Sequence, residues 1–496
     1  MIRQFLIQIS LFVLILLICN ANAENTPYKS TWQSVMQHPT PEWFRDAKFG
    51  IYCHWGPYSV PAYETEWYSH WMYVEGHKIN QYHIKKYGPL SEFGYKDFIP
   101  MFKAENWRPD QWAELFDQAG ARFAGMVVEH ADGFAMWDSQ LTEWDAADMG
   151  PKRDLVGDLE KEIKKRGLKF IATYHRQWLY AWYPTLDETA DASNPEYAGL
   201  YGPRVPFSAF GPSRIFPDPM PDREFSEQWI ERISEVVDKY KPDLVWFDNK
   251  LDILHEKYRL DFLSYYYNKG LEWNKDVAAT YKFEEFYPGA GILDLERSRM
   301  SEGREFPWLT DDSIDWKSWC YIQNPEYKSV NRLIDTLVDI VSKNGCLLLN
   351  IPPKPNGEIP QPVQDRLQQI GQWLDVNGEA IYDTRPWKVF GEGSAQVVEG
   401  HLSERKNADA TADDIRFTRS KDGKNLYVIL LGWPGAEKSI TVQSLAKSES
   451  STIIASINMI GSEAAIHWKQ NNDGLQIQMP QQPPFEDAVC FRLNLK

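Results

Sequence analysis

The chain has 496 residues, which is long enough for one large domain with a sizeable core plus a smaller second domain. Its formal net charge is −17, and lysine and arginine form no long block. This balance argues against a protein that binds nucleic acid or an anionic membrane surface. Aromatic residues make up 14% of the chain; their flat faces suit sugar rings, although core packing is the commoner use.

The first 23 residues have the features of a secretory signal peptide. Arg3 is their only charge, residues 11–18 are apolar, and residues 21–23 (Ala-Asn-Ala) form a small-x-small cleavage site. A membrane anchor is the alternative, but the apolar stretch is short for a spanning helix and no basic stop-transfer pattern follows. The sequence therefore predicts a secreted or periplasmic protein with no membrane span after cleavage.

Four cysteines follow this segment: Cys53, Cys320, Cys346 and Cys490. No two of them have the spacing of metal-binding cysteines, and four are too few for a disulfide framework to stabilise a chain of this length. One or two disulfides after export remain an open alternative, with no pairing indicated by the sequence.

The middle of the chain alternates short apolar runs with amphipathic helices, which is typical of a parallel sheet covered by helices. The number and length of these units favour a closed (β/α)8-like barrel over an open doubly wound sheet. No glycine-rich phosphate loop follows any strand, which argues against a nucleotide-binding sheet. The predicted strands are 49–54, 123–129, 169–174, 244–247, 277–281 and 346–351, and the predicted helices are 109–119, 154–166, 224–240, 256–269 and 329–343.

Two segments depart from this alternation. Residues 178–222 are rich in Pro, Gly, Tyr and Phe without a steady period, which predicts a functional loop at the carboxyl-terminal rim of the barrel. Beyond Trp387 the segments become short and β-rich, with Asp-Gly turns between them, which predicts an antiparallel β-sandwich. The predicted domains are a signal peptide (1–23), a catalytic barrel (24–388) and a sandwich (389–496), whose strands are 426–431, 439–442, 452–457, 464–468, 475–479 and 488–493.

Titratable side chains stand at the carboxyl ends of five consecutive predicted strands, where barrel enzymes carry their chemistry. A single histidine there is more often structural, and a single aspartate is more often a turn former. Five such strand ends in a row are harder to attribute to chance, which would have scattered Ser, Thr and Gly among them. These residues are His54, His130, Tyr174 with His175, Asp248, and Glu284 with Glu285.

Two carboxylates on neighbouring strands suit glycoside hydrolysis, in which one attacks the anomeric carbon and the other protonates the leaving oxygen. Either Trp246 or Phe247, but not both, would face the pocket, because neighbouring strand residues alternate in direction. A metal hydrolase using His54, His130 and His175 with Asp248 is the rival enzyme. However, the first strand has no His-x-His and the chain has no His-Glu-x-x-His.

Six blocks, in order along the chain, resemble glycoside hydrolase family 29, the α-L-fucosidases. The resemblance runs from Trp43 to Trp387, with a weaker match at NLYVILLGWP near the C-terminus. It implies a barrel followed by a β-sandwich, hydrolysis with retention, and no cofactor or metal. The blocks are WFRDAKFGIYCHWGPYSVPAYETEWY, EHADGFAMWDS, GPKRDLVGDL, PDLVWFDN, SKNGCLLLNIPP and VNGEAIYDTRPW.

The resemblance also implies roles for single residues. Asp248, in WFDN, matches the nucleophile of the family, although the family more often has Gly where Asn249 stands. The acid/base is implied at Glu284, which follows Tyr-Lys-x as in a family segment, with Glu285 and Glu296 as alternatives. His54, Glu66 and His130 match residues that bind sugar hydroxyls, and Tyr174 and Trp246 match pocket-lining positions.

One departure concerns the sugar pocket. The family commonly has two adjacent histidines where this chain has His130 and Ala131. The missing imidazole removes a donor to the sugar. Either another residue, such as a histidine from elsewhere or Gln177, takes its place, or the enzyme accepts a changed or substituted sugar.

These observations predict an exo-acting retaining enzyme that removes terminal α-L-fucose from fucosylated oligosaccharides or polysaccharides. A sugar-binding pseudo-enzyme is an alternative, but a lapsed enzyme has no reason to keep both Asp248 and the Glu284–Glu285 pair. A related substrate, such as an L-galactoside or a sulfated fucose, is the other alternative, because a hydrophobic pocket rejects an added hydroxyl only weakly.

Overall fold

The computed structural model describes residues 27–207, 221–395, 397–447 and 452–496, so the predicted signal peptide lies outside the described residues. These ranges form a closed barrel of eight parallel strands followed by two antiparallel sheets. The predicted fold class is confirmed. Every helix within the described ranges is too short or too polar to cross a bilayer.

The eight barrel strands follow one another in chain order, and β8 closes the barrel by pairing with β1. Nearly all of their residues are buried, because helices cover the outer face and side chains fill the inside. This burial on both faces is why most of them read as continuous apolar runs. The strands are β1 (Phe49–Cys53), β2 (Phe123–Glu129), β3 (Lys169–Tyr174), β4 (Leu244–Phe247), β5 (Ala278–Tyr281), β6 (Ile292–Asp294), β7 (Trp308–Ser313) and β8 (Gly345–Ile351).

Helices connect the strands, and several begin at side chains that accept a backbone N–H of the first turn. Asp154, Asp222 and Ser329 each cap a helix in this way. The predicted loop 178–222 follows β3, but it contains helical turns, and residues 208–220 lie outside the described ranges. The described α-helices are Trp32–Val35, Glu42–Ala47, Tyr68–Trp71, Lys78–Tyr87, Pro109–Gln118, Leu155–Lys165, Ala198–Tyr201, Arg223–Tyr240, Glu256–Trp273, Val330–Ser342 and Gln361–Asn377.

The C-terminal part is a sandwich of two antiparallel sheets. The five-stranded sheet has the order β13-β16-β11-β10-β9 and the three-stranded sheet the order β12-β15-β14. Side chains from both sheets, such as Phe417 and Ile477, share one core. β9 runs across the predicted domain boundary after residue 388. The strands are β9 (Thr384–Glu392), β10 (Ile415–Ser420), β11 (Asn425–Leu430), β12 (Ser439–Val442), β13 (Ile454–Met459), β14 (Trp468–Gln470), β15 (Leu475–Gln478) and β16 (Val489–Leu495).

The four cysteines of the described residues are buried and unpaired, so the disulfide alternative is wrong. Their side chains pack in the hydrophobic core as small apolar groups. Cys53 and Cys346 belong to barrel strands, and Cys490 belongs to β16.

A buried charge cluster joins the barrel to the sandwich. Asp339, on the helix Val330–Ser342, lies 2.6 Å from Nε of Arg416 in β10, 2.9 Å from Nζ of Lys343 and 3.5 Å from a guanidinium nitrogen of Arg299. Burial alone would raise the pKa of Asp339, but the three cations hold it below the usual range. Asp339 therefore stays ionised between the two domains.

One turn earlier on the same helix, Asp335 is only partly compensated, because Arg299 and Arg332 lower its pKa by less than burial raises it. It is buried, and among the described residues neither of its carboxyl oxygens has a hydrogen-bond partner. Burial raises its pKa to about 8. In the unfolded chain an aspartate has a pKa of about 3.9, so the folded state binds the proton more tightly. The group therefore destabilises the fold progressively as pH rises from about 4 through about 8.

We accordingly expect Asp335→Asn to unfold at a higher temperature than the wild type at pH 8. The difference in Tm should shrink steadily as pH falls from 8 towards 5, and it should level off only near pH 4, where the unfolded aspartate also becomes protonated. Thermal unfolding across pH 5–8 checks this, with Asp117→Asn, an exposed aspartate on the helix Pro109–Gln118, as the matched control. A Tm difference that does not change with pH would contradict the assignment of a raised pKa to Asp335 in the folded protein.

Candidate active site

A cavity of about 460 Å³ opens at the carboxyl ends of the barrel strands. Its wall combines imidazoles, carboxylates and several tryptophans, which is the composition of a site that holds a polar ring by its hydroxyls and its apolar face. The lining residues are His54, Thr65, Glu66, Trp67, Trp71, His130, His175, Trp178, Trp246, Asp248, Asn249, Lys282, Glu296, Asp311, Trp319 and Leu402.

His54, directly after β1, is fixed by Asn350 of β8. The amide nitrogen of Asn350 donates to Ser313 and Trp319, so its oxygen is an acceptor. That oxygen lies 2.9 Å from both the backbone N and Nδ1 of His54. Nδ1 therefore carries the proton, and Nε2 is left as an acceptor. Burial lowers the pKa of His54 to about 4, so the ring is neutral near pH 7.

His130 and His175, after β2 and β3, stand beside His54. Their ring centroids are 4.7 Å apart, and they lie 5.5 Å and 5.2 Å from the His54 ring. Burial holds the pKa of both well below the usual value, so both are neutral. Within the described part of the chain, Nδ1 of each has no hydrogen-bond partner. These rings can therefore donate to, or accept from, a bound molecule.

The same three imidazoles are the candidate metal ligands in the described ranges, with ring nitrogens within 4.8 Å of one another. A metal-bound histidine almost always donates its other ring N–H to a carboxylate, carbonyl or water. His54 has such a partner in Asn350, but His130 and His175 have none among the described residues. His54 is thus the one member of this trio with a protein partner on its other ring nitrogen among the described residues, and all three rings line the cavity, where they can bind hydroxyls.

A buried lysine connects two carboxylates across the cavity. Nζ of Lys282, directly after β5, lies 3.1 Å from Oδ1 of Asp248 and 2.8 Å from Oε2 of Glu296. Asp311 and Asp294 lie 3.5 Å and 3.7 Å from the same nitrogen. Burial alone would lower the pKa of Lys282, but the surrounding carboxylates raise it well above its usual value. Lys282 is therefore a fixed cation at the base of the site.

The backbone at Asp248 is also held in place. Nε2 of Gln177 donates to the carbonyl oxygens of Asp248 and Asn249, at 2.7 Å and 2.9 Å. The backbone N–H of Asp248 continues the pairing of β4 with β3 by donating to Tyr174. Gln177 therefore fixes the backbone at Asp248 and does not replace the missing imidazole.

Five of the residues predicted from the sequence line the cavity together: His54, Glu66, His130, Trp246 and Asp248. Trp246 faces inward with Nε1 donating to Asp294, whereas Phe247 faces outward against Trp229 and Phe262. Burial raises the pKa of Glu66, whose carboxylate accepts the backbone N–H of Trp319.

Tyr174 does not line the cavity, which corrects its predicted position. Its side chain points outward like that of Phe247, with which it is paired across β3 and β4. Its hydroxyl donates to the carbonyl of Trp229 at 3.1 Å. The next residue, His175, faces the cavity instead.

The three candidate acids occupy different places. Glu296, after β6, lines the cavity with Asp248. Glu284 lies outside it, in a neighbouring cleft. Glu285 is buried and accepts the backbone N–H groups of Leu251 and Lys282, and burial raises its pKa to about 8. Glu285 therefore braces the loops after β4 and β5.

Ala131 is buried and does not line the cavity. The imidazole beside His130 comes from His175, on the next strand. The sequence left two explanations for the alanine at position 131. This geometry supports the first, in which a histidine from elsewhere in the chain replaces the missing imidazole.

A closed parallel barrel with paired carboxylates in an aromatic cavity at its strand ends has the architecture of a glycoside hydrolase. Residues 15–379 match the family model for alpha-L-fucosidase, and residues 407–494 match the model for the alpha-L-fucosidase C-terminal domain. The chain belongs to the α-L-fucosidase family, glycoside hydrolase family 29.

Individual relatives align with nearly the whole chain. Mouse tissue alpha-L-fucosidase is 31% identical over 485 residues, which cover 94% of this chain and 93% of the relative. Human tissue alpha-L-fucosidase is 30% identical, with 95% and 91% covered. The crystal structure of Thermotoga maritima alpha-fucosidase in complex with fucose superposes with a TM-score of 0.73 at 29% identity, covering 94% of this chain and 100% of that one.

Proposed function

We propose that this protein is an exported α-L-fucosidase that hydrolyses terminal α-L-fucosyl residues of glycans by double displacement. The observation that carries the proposal is the shared contact of Asp248 and Glu296 with Lys282. Since one nitrogen lies 3.1 Å and 2.8 Å from the two oxygens, these oxygens are less than about 6 Å apart, which fits the ~5–5.5 Å spacing of retaining enzymes. Inverting enzymes need a wider gap for water.

Asp248 is the proposed nucleophile. As a carboxylate it attacks the anomeric carbon of the α-fucoside from the opposite face and forms a β-linked fucosyl-enzyme. Nζ of Lys282, 3.1 Å away, holds the carboxylate in position at the wall of the sugar cavity. Water then attacks the intermediate from the first face and releases fucose with its α configuration retained.

Glu296 is the proposed acid/base, in preference to Glu284. It protonates the leaving oxygen in the first step and deprotonates water in the second. Two observations favour it: it lines the same cavity as Asp248, and Lys282 links the two carboxylates. Glu284 lines only the neighbouring cleft.

The neutral imidazoles and Trp246 are the proposed sugar-binding groups. Nε2 of His54 accepts a hydroxyl proton, while the free ring nitrogens of His130 and His175 pair with neighbouring hydroxyls. Glu66 adds a carboxyl group at the same wall. The face of Trp246 covers the apolar side of the ring, as aromatic faces do in sugar sites.

His175→Phe tests this assignment because it keeps a ring of similar shape but removes both nitrogens. We expect kcat/KM for an α-L-fucoside to fall by about 10–100-fold, since a hydroxyl left unpaired costs about 1–3 kcal/mol. The loss should appear mainly in KM. Steady-state kinetics measure it, with Tyr174→Phe as the matched control because the Tyr174 side chain faces away from the cavity. Equal effects of the two variants would contradict the role of His175.

Export is proposed from residues 1–23 alone. Expression of the whole chain in a secreting host, followed by N-terminal sequencing, tests it. A mature protein that begins after Ala23 supports export, and an intact N-terminus in the cytoplasm argues against it.

The activity itself is tested on aryl α-L-fucoside, α-L-galactoside and β-D-galactoside, with fucosylated oligosaccharides beside them. We expect the α-L-fucoside to be the best aryl substrate. Proton NMR during the first turnovers should detect α-L-fucose before mutarotation. Release of β-L-fucose first, or hydrolysis of none of the fucosides, would overturn the proposal.

A further inference from the structure

A second cleft, of about 790 Å³, borders the proposed sugar cavity, and the two share Asn249. In three pairs of consecutive residues, one residue lines the cleft and the other lines the sugar cavity, so these pairs form a wall between the two. These pairs are Lys282 and Phe283, Glu296 and Leu295, and Leu402 and His401. The cleft is lined by Asn249, Lys250, Asp252, Phe283, Glu284, Glu285, Leu293, Leu295, Met300, Arg304, Glu399 and His401.

The C-terminal part of the chain builds one side of this cleft. Its segment 397–407 is held against the backbone of the proposed acid/base. Nδ1 of His401 accepts the backbone N–H of Glu296 at 3.2 Å, and the backbone N–H of Leu402 donates to the carbonyl of Glu296 at 2.8 Å. Residues 397–407, which precede the sandwich strand β10, therefore hold the backbone of Glu296 in position.

Phe283 presents an aromatic surface at this wall. Its side chain is 54% exposed, although a large apolar side chain usually finds cover, and its φ of +52° is strained for a non-glycine residue. One face stacks on His401, with centroids 4.0 Å apart and ring planes 27° apart. Burial lowers the pKa of His401 to about 4, so the supporting ring is neutral near pH 7.

The chemistry fixes what enters the cleft. The scissile oxygen must lie within reach of both the fucosyl carbon in the first cavity and the proton donor on the common wall. The group attached to that oxygen therefore continues past Glu296 towards the cleft. A polar rim with an exposed ring face suits a pyranose, whose hydroxyls bind carboxylates and amides while its apolar face stacks.

We propose that this cleft binds the leaving-group sugar of the substrate, with a neutral hexose or N-acetylhexosamine stacked on Phe283. This inference rests on the proposed function and extends it, because it makes the protein selective for oligosaccharides over simple fucosides. The polar groups of Asp252 and Glu284 are then available to the hydroxyls of the stacked sugar.

The test compares two substrates that differ only beyond the scissile bond. α-L-Fucosyl fluoride has a single atom as its leaving group, whereas a fucosylated trisaccharide, the best of a panel of linkages, reaches into the cleft. The measured quantity is the ratio of kcat/KM on the trisaccharide to kcat/KM on the fluoride. Phe283→Ala should lower this ratio at least about tenfold, because the stacked ring contributes about 1.4 kcal/mol or more.

Three further variants make the result specific. Phe283→Leu keeps an apolar side chain without a ring face and should lower the ratio similarly, whereas Phe283→Trp should restore most of it. Phe306→Ala is the matched control, since Phe306 is exposed and lines neither cavity, and it should leave the ratio within about twofold.

An unchanged ratio in Phe283→Ala and Phe283→Leu would overturn the inference while leaving the proposed function intact. Hydrolysis of the fluoride without hydrolysis of any trisaccharide in the panel would also overturn it. Failure of the wild type on α-L-fucosyl fluoride would instead overturn the proposed function.

Discussion

Asp248→Asn is expected to lower kcat/KM on an aryl α-L-fucoside by about 10⁵-fold, which corresponds to about 7 kcal/mol of barrier. The amide keeps the shape of the carboxylate but cannot attack as an anion. Steady-state kinetics measure the loss, and circular dichroism checks that the fold survives. A folded variant that keeps more than a tenth of the wild-type rate would show that Asp248 is not the nucleophile.

A companion variant, Asp248→Gly, leaves space for an external nucleophile. Azide should attack the α-fucoside from the face that Asp248 normally uses, so the expected product is β-L-fucosyl azide. Asp252, a short way further along the chain, also carries a carboxylate, but it lines the neighbouring cleft and not the sugar cavity. Asp252→Gly is therefore the matched control and should show no azide rescue.

The second large effect concerns the acid/base. Glu296→Ala should slow substrates with poor leaving groups by about 10²–10⁴-fold, because their departure needs a proton in the transition state. The first step of an activated aryl fucoside needs no such proton, so its rate should fall far less. Azide should then react with the β-linked fucosyl-enzyme and give α-L-fucosyl azide.

Glu284→Ala is the matched comparison for Glu296→Ala. It should show a smaller loss that does not follow the acidity of the leaving group. Kinetics on a series of aryl fucosides of graded leaving-group pKa separate the two variants. If Glu284→Ala follows the leaving group and Glu296→Ala does not, the sequence-based prediction of Glu284 is right and the geometric preference for Glu296 is wrong.

Much of the barrel can be predicted from the sequence because its strands are buried on both faces. Six of the eight strands appear as apolar runs between amphipathic helices. The other two do not: β6 (Ile292–Asp294) is only three residues long, and β7 (Trp308–Ser313) contains Asp311 and Asp312. Those aspartates are stabilised by Lys282 and Lys328, which come from distant segments. Without these partners, two adjacent aspartates predict a turn and not a buried strand.

The short length of β6 also explains the weaker prediction of the acid/base. Glu296 follows β6, so its position at a strand end is not recognisable from the sequence, whereas Glu284 follows the recognisable β5. Sequence reasoning misses Lys282 for a related reason. A lysine is usually exposed, and only the convergence of several carboxylates at the strand ends keeps this one charged and buried.

The direction of side chains is the other point that the sequence does not decide. Tyr174 and His175 are neighbours, and only one of them can face the cavity. In a strand with one solvated face the polar pattern would settle the choice, but β3 is buried on both faces. The pairing of β2 with β3 also shifts between Val127 and Glu129, which alters the alternation near the strand ends.

Covalent trapping tests the central claim most directly, because it reports the activity, the retaining mechanism and the nucleophile together. 2-Deoxy-2-fluoro-L-fucosyl fluoride should fucosylate the enzyme faster than the intermediate hydrolyses. Mass spectrometry should then find one added sugar per chain, on the peptide that contains Asp248, and none in Asp248→Asn. An enzyme that hydrolyses α-L-fucosides but forms no adduct, or forms it on another residue, would contradict the account.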